Sequence, residues 1–93
     1  MANVVWEEDA LDDRINIFEY LYQYNPQAAE KTDLIFEKQD GLLALQPYLG
    51  VCKNGWNGFC LVLADVPFNI YYDVDGNIVR IMRVLHQKQR FPL

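Results

Sequence analysis

The dipeptide Asp75-Gly76, followed by Asn77, stands between two runs of β-forming residues, FNIYYDV at 68–74 and NIVRIMRVL at 77–85. A connection this short needs a backbone with positive φ, which glycine adopts without steric penalty, so Asp-Gly at this place is a strong hairpin signal. A third run, GFCLVLAD at 58–65, is set off from the second only by the short turn around Val66 and Pro67. Three such runs with short connections pair as an antiparallel meander. The segment NVVW at 3–6 is also short and β-branched, and it is expected to join an edge of that sheet.

Between the first strand and the meander the period changes from two to three and four. The acids of EEDALDD favour a helix N-terminus, where they face unpaired amide donors. Ala10, Leu11, Ile15, Phe18, Leu21 and Tyr22 then form one apolar stripe, which predicts a helix over 9–23. Asn25 is suited to cap a second helix and Pro26 to open it. Ala28, Ala29, Ile35, Phe36, Leu42, Leu43 and Leu45 carry that helix to about residue 45, past Gly41, and Pro47 stops it. The segment 47–57 reads as a glycine-punctuated connector that contains a short extended piece. The fold class is therefore α+β: an N-terminal helical hairpin packed on a small, mostly antiparallel sheet. With 93 residues, one domain spanning 1–93 is expected.

Charge divides along the chain as the elements do. Residues 1–49 hold three basic and ten acidic side chains, whereas residues 50–93 hold five basic and three acidic ones. The net charge of -5 opposes broad nonspecific affinity for nucleic acid, yet it leaves room for a local basic site. No apolar run approaches the roughly 20 residues of a membrane span, and no basic segment followed by an apolar core opens the chain. The cytoplasm is the expected location. Cys52 and Cys60 are read as reduced thiols, and two thiols with one histidine are too few for a structural zinc site. No metal and no cofactor are expected.

The candidate chemistry lies in the last strand and the chain end. Strict alternation places Ile78, Arg80, Met82 and Val84 on one face and Val79, Ile81, Arg83 and Leu85 on the other. Arginine offers a fixed fork of donors for carboxylate or phosphate. The plainer reading makes Arg80 a solvent-face residue and pairs Arg83 with an acidic helix. His86 follows the strand with an ordinary pKa near neutrality, suited to proton transfer or simply to a strand end. Lys88 and Arg90 extend a basic tail, and Phe91 is an aromatic that stacks on a base or anchors the terminus.

These residues resemble the RelE/ParE superfamily of toxins from type II toxin–antitoxin and plasmid-stabilisation modules. The resemblance begins at VVWEEDALDDRINIFEYL and returns at NPQAAE and LQPYLG. It is strongest at FNIYYDVDGNIVRIMRVLHQKQRFP. It implies the same two-helix hairpin on a small sheet, a cognate antitoxin as partner, and one of two targets. RelE-like members cleave mRNA in the ribosome, whereas ParE-like members inhibit DNA gyrase.

If the chain is a nuclease, the resemblance assigns Arg83 to the scissile phosphate, with His86 or the tail, including Arg90, as proton-transfer group. Arg80, Lys53, Lys88 and Phe91 are then target-binding candidates. The chain departs from the pattern on its central strands, however. Val51 stands where many relatives have arginine, the next strand opens Gly58, Phe59, Cys60, and the following one opens Phe68, Asn69. Lys53 is the nearby basic replacement. A nuclease acting among polyanions needs clustered positive charge. The balance therefore tilts toward gyrase inhibition through protein contacts. An mRNA endoribonuclease and a degenerate, non-toxic antitoxin-binding module remain as alternatives.

Overall fold

The computed structural model describes residues 1–52 and 58–89. Along the chain these form β1 (Asn3–Trp6), α1 (Glu8–Tyr22), α2 (Pro26–Leu45), β2 (Val51–Cys52), β3 (Phe59–Val62), β4 (Phe68–Asp75) and β5 (Ile78–His86). The strands make one five-stranded sheet in the order β1-β5-β4-β3-β2. The meander β3-β4-β5 is antiparallel, as its short connections require, and β2 continues it antiparallel to β3. β1 adds to the far side of β5 in parallel, from Asn3 opposite Ile78 to Trp6 opposite Ile81. This is the α+β arrangement that the periodicities predict.

The hairpin turn is tighter than its sequence signal suggested. Asp75 pairs with Ile78, so Gly76 and Asn77 alone make the connection. Gly76 has φ of 60° and no other described residue has a positive φ, which is the pattern of a II′ turn with glycine at its first central position. At the helical end, Asn25 Oδ1 accepts from the backbone N–H groups of Gln27 at 3.1 Å and Ala28 at 3.2 Å. Pro26 follows as the first helical residue, where its missing N–H is no loss.

The two helices cover one face of the sheet. Ala10, Phe36 and Leu43 pack there against Leu63, Ile70, Tyr72, Val79, Ile81 and Val84. Phe36 meets Phe68 edge to face at 5.7 Å between centroids. On the other side of the sheet Cys60, Tyr71 and Leu85 form a smaller buried cluster. Cys52 and Cys60 are not joined in a disulfide, and they are not opposite each other, since Val51 faces Cys60.

Two expectations from simple periodicity are corrected. Strict alternation along β5 fails, because Tyr71 pairs with Arg83 while Tyr72 pairs with Ile81, which leaves Met82 as an extra residue in a bulge. Val84 therefore joins Val79 and Ile81 in the main core, and Leu85 lies in the opposite cluster. A bulge inserts one residue and resets the faces beyond it. Likewise, the apolar stripe of α1 is wider than the surface that covers it. Ala10 is fully buried, but Leu11, Ile15 and Tyr22 are exposed.

Two glycines answer to opposite physics. Gly50 donates its N–H to Tyr72 Oη at 2.8 Å, and a Cβ there would lie 2.9 Å from the Cys60 carbonyl oxygen. Gly41 lies inside α2 with open space around it. In chemical denaturation, Gly41→Ala is expected to raise stability by about 0.5–1 kcal/mol through helix propensity. Gly50→Ala is expected to lower it by about 1–3 kcal/mol, because backbone must shift to admit the methyl group.

Candidate functional site

β5 and the turn after it carry the basic residues, and the structure gives Arg80, Arg83 and His86 separate sets of partners. Arg80 sits near the hairpin turn, opposite Asp73 on β4. Its Nε and Nη2 donate to the two Asp73 carboxylate oxygens at 3.0 and 3.1 Å. This bond holds the Arg80 guanidinium above its usual pKa.

Arg83 lies beside the bulge and is held from α1. Its Nε donates to Asp13 Oδ2 at 2.8 Å and its Nη2 to Asp13 Oδ1 at 3.0 Å. The same Asp13 Oδ2 accepts the backbone N–H of Val84 at 2.9 Å. The reason is local. β1 stops pairing at Trp6, with one more bond from the Glu7 N–H to the Ile81 carbonyl. Beyond that point the outer edge of β5 has no neighbouring strand, and Asp13 takes over as acceptor. The bond to Asp13 raises the Arg83 pKa, with partial burial opposing. With Nε and Nη2 engaged by Asp13, chiefly the Nη1 end of the guanidinium is left to meet another acceptor.

His86 ends the strand opposite Phe68, and their rings meet edge to face at 5.6 Å. Its Nδ1 accepts the Lys88 backbone N–H at 3.1 Å, so the neutral imidazole carries its proton on Nε2. The Gln87 N–H donates to the Pro67 carbonyl at 2.9 Å, and Gln87 Nε2 donates to the Leu63 carbonyl at 3.1 Å. The turn is thereby tied to the β3–β4 connection. Lys88 is exposed, and among the described residues it has no ion-pair partner. Lys53, Arg90 and Phe91 lie outside the described residues. Among the described residues no group of three or more His, Cys, Asp or Glu side chains could hold a metal ion. None of the described helices is long and apolar enough to cross a membrane.

Two buried phenols lie on opposite faces of the sheet, Tyr71 away from the helices and Tyr72 beneath them. Burial pushes the Tyr71 hydroxyl above its usual pKa, against a lowering hydrogen bond from the Asn69 side chain. Tyr72, in the main core, is raised by burial too, with the Gly50 N–H acting in the lowering direction. Sequence reasoning did not single out Asp13, which organises the basic end. Its only sequence signal was membership of the acidic run that opens α1.

The described fold is a helical hairpin on a mixed five-stranded sheet, with two arginines on its last strand. A family model described as the ParE toxin of type II toxin–antitoxin system, parDE, matches residues 4–91. The chain belongs to that ParE toxin family. No curated protein matches it by sequence. Ten chains of solved structures match. One, from a structure described as the chromosomal ParDE TA system from P. aeruginosa, superposes with a TM-score of 0.81 at 21% identity. That match covers 92% of this chain and 96% of the other, and at this identity the likeness is one of fold.

Two measurements check this geometry. Asp13→Ala leaves Arg83 and the Val84 N–H without their acceptor, both in partly buried surroundings. It is expected to cost about 2–4 kcal/mol in urea unfolding. The phenols set an alkaline limit. Their folded pKa values lie above the 10.0 of an ordinary tyrosine. The unfolded chain therefore releases these protons first, so their contribution is complete below pH 10.0 and falls as pH rises through the folded values. Phenolate absorbance and circular dichroism followed together should show loss of fold accompanying ionisation, and Tyr72→Phe should shift that loss upward.

Proposed function

We propose that this chain is the toxin of a type II toxin–antitoxin module, that it is paired with a cognate antitoxin, and that it inhibits DNA gyrase through protein contacts in the cytoplasm. Membership of the ParE toxin family supports the first part of this reading. The observation that carries the choice of target is the state of the arginines on β5. Arg80 and Arg83 each have both carboxylate oxygens of an aspartate within 3.1 Å. A ribonuclease that works by stabilising charge on a phosphate needs donors aimed at the place where that charge develops. Here the forks are aimed at Asp73 and Asp13. Val51, Phe68 and Asn69 add no charge on the central strands, so the described sheet offers little for a polyanion. A protein target is recognised by shape and by complementary charge, which an acidic, aromatic-rich surface can supply.

The test separates target from toxicity. Purified chain is expected to block supercoiling by gyrase and to leave ribosome-bound mRNA uncut. Cut ends in the ribosomal A site with supercoiling intact would instead assign an endoribonuclease, with Arg83, His86 and the tail as its groups. Normal growth on induction without antitoxin, with neither effect, would assign a non-toxic antitoxin-binding module.

A further inference from the structure

We infer that Asp75-Gly76, at the β4–β5 turn, is a site of spontaneous backbone modification, at which Asp75 converts to isoaspartate through a cyclic imide. The chain contains this dipeptide twice, at 40–41 and at 75–76. Local sequence makes both of them candidates. A glycine sets no Cβ beside its own amide nitrogen and lets the backbone reach conformations closed to other residues. The structure separates the two.

Asp40-Gly41 lies inside α2, where the helical ladder commits the Gly41 N–H to the Glu37 carbonyl. The Asp40 carboxylate is held as well, since its Oδ2 accepts from Trp6 Nε1 at 2.9 Å. For that nitrogen to reach the carboxyl carbon, a turn of a 20-residue helix must open and the tie to β1 must break. Asp75-Gly76 has neither restraint. Asp75, Gly76 and Asn77 are all exposed. Asp75 and Ile78 form the last rung of the hairpin, so the Gly76 N–H lies beyond the ladder, and no turn or loop bond among the described residues uses it. The Asp75 carboxylate takes part in no side-chain hydrogen bond or ion pair among the described residues, and the nearby Arg80 fork is filled by Asp73. Nothing lies within 4 Å of the place where a Gly76 Cβ would stand, so the turn has room to change shape.

The reaction balances with water alone. The Gly76 amide nitrogen loses its proton and attacks Asp75 Cγ. A C–N bond forms, a Cγ–O bond breaks and one water leaves, which gives a five-membered imide. Water then opens the ring. Opening at the Cγ carbonyl restores aspartate, whereas opening at the main-chain carbonyl leaves the chain running through Cβ and Cγ, with no net change of mass. The product adds a methylene to the main chain beside a two-residue turn, whose tight closure requires the φ of 60° at Gly76. It also bears on β1, because the Asn3 N–H donates to the Asn77 carbonyl at 2.8 Å within that turn.

The experiment ages the full chain at neutral pH, folded in buffer and unfolded in urea. After digestion, each Asp-Gly peptide is separated and scored by mass spectrometry and by labelled methyl transfer from S-adenosylmethionine with an isoaspartyl O-methyltransferase. Asn54-Gly55 and Asn57-Gly58, which extend outside the described residues, undergo the related loss of ammonia and are told apart by their gain in mass. In the folded chain isoaspartate is expected to form about tenfold or more faster at residue 75 than at residue 40, because a terminal turn opens more readily than a helix packed on a core. In urea the two rates are expected to converge. Asp75→Glu keeps the charge but requires a larger ring, and it should abolish methyl acceptance in its peptide. Asp75→Asn should instead gain mass at that position. Equal rates at 40 and 75 in the folded chain would overturn the inference. So would isoaspartate that appears at 75 only in urea, or an Asp75→Asn chain whose mass stays constant while folded.

Discussion

The carboxylate of Asp13 closes the open edge of β5. That strand runs on to His86 after its parallel neighbour has ended at Trp6, so its outer N–H groups face the base of α1 with no strand to bond. A backbone donor left unpaired near a core is costly, and Asp13 Oδ2 removes that cost at Val84 while the same carboxylate takes the Arg83 fork. One side chain thus ties α1 to the outer edge of β5 and takes the Arg83 fork. The packing of Ala10, Phe36 and Leu43 over Val79, Ile81 and Val84 depends on that placement.

The functional character of the surface follows from the same bonds. With Arg83 turned to α1 and Arg80 to Asp73, the last strand loses the positive face that its sequence advertises. What remains outward is acidic and aromatic, concentrated on the helical hairpin. Tyr20 and Tyr24 meet at 5.3 Å beside the turn between the helices, and the line from Leu11 to Tyr22 extends from there along α1. A guanidinium whose Nε and Nη2 are held by a carboxylate keeps chiefly its Nη1 end for any other acceptor.

Much of the architecture was legible before any coordinates. Asn25 and Pro26 mark the start of α2 because capping is a transaction among four or five consecutive residues. The hairpin at Gly76 is equally local, and so are the period-two runs that became β3, β4 and β5. The candidate site was legible only as a list of basic residues. The plainer reading, Arg83 paired with an acidic helix, holds, but the particular acid was beyond reach, because Arg83 and Asp13 stand 70 positions apart and nothing near either one names the other. The stripe on α1 was visible too, but the half of it that stays exposed depends on how wide a surface the sheet offers.

The amino-acid order by itself determined the elements, their approximate bounds, the antiparallel meander and the separation of acidic helices from a basic chain end. These rest on dihedral preference, capping and side-chain period, which act over a few residues. Only the tertiary structure decided that Met82 bulges, that Val84 rather than Arg83 shares the core with Ile81, and that the arginines of β5 are closed by aspartates. Those outcomes come from competition for hydrogen-bond partners between segments remote along the chain, where burial of an unpaired group outweighs any local preference.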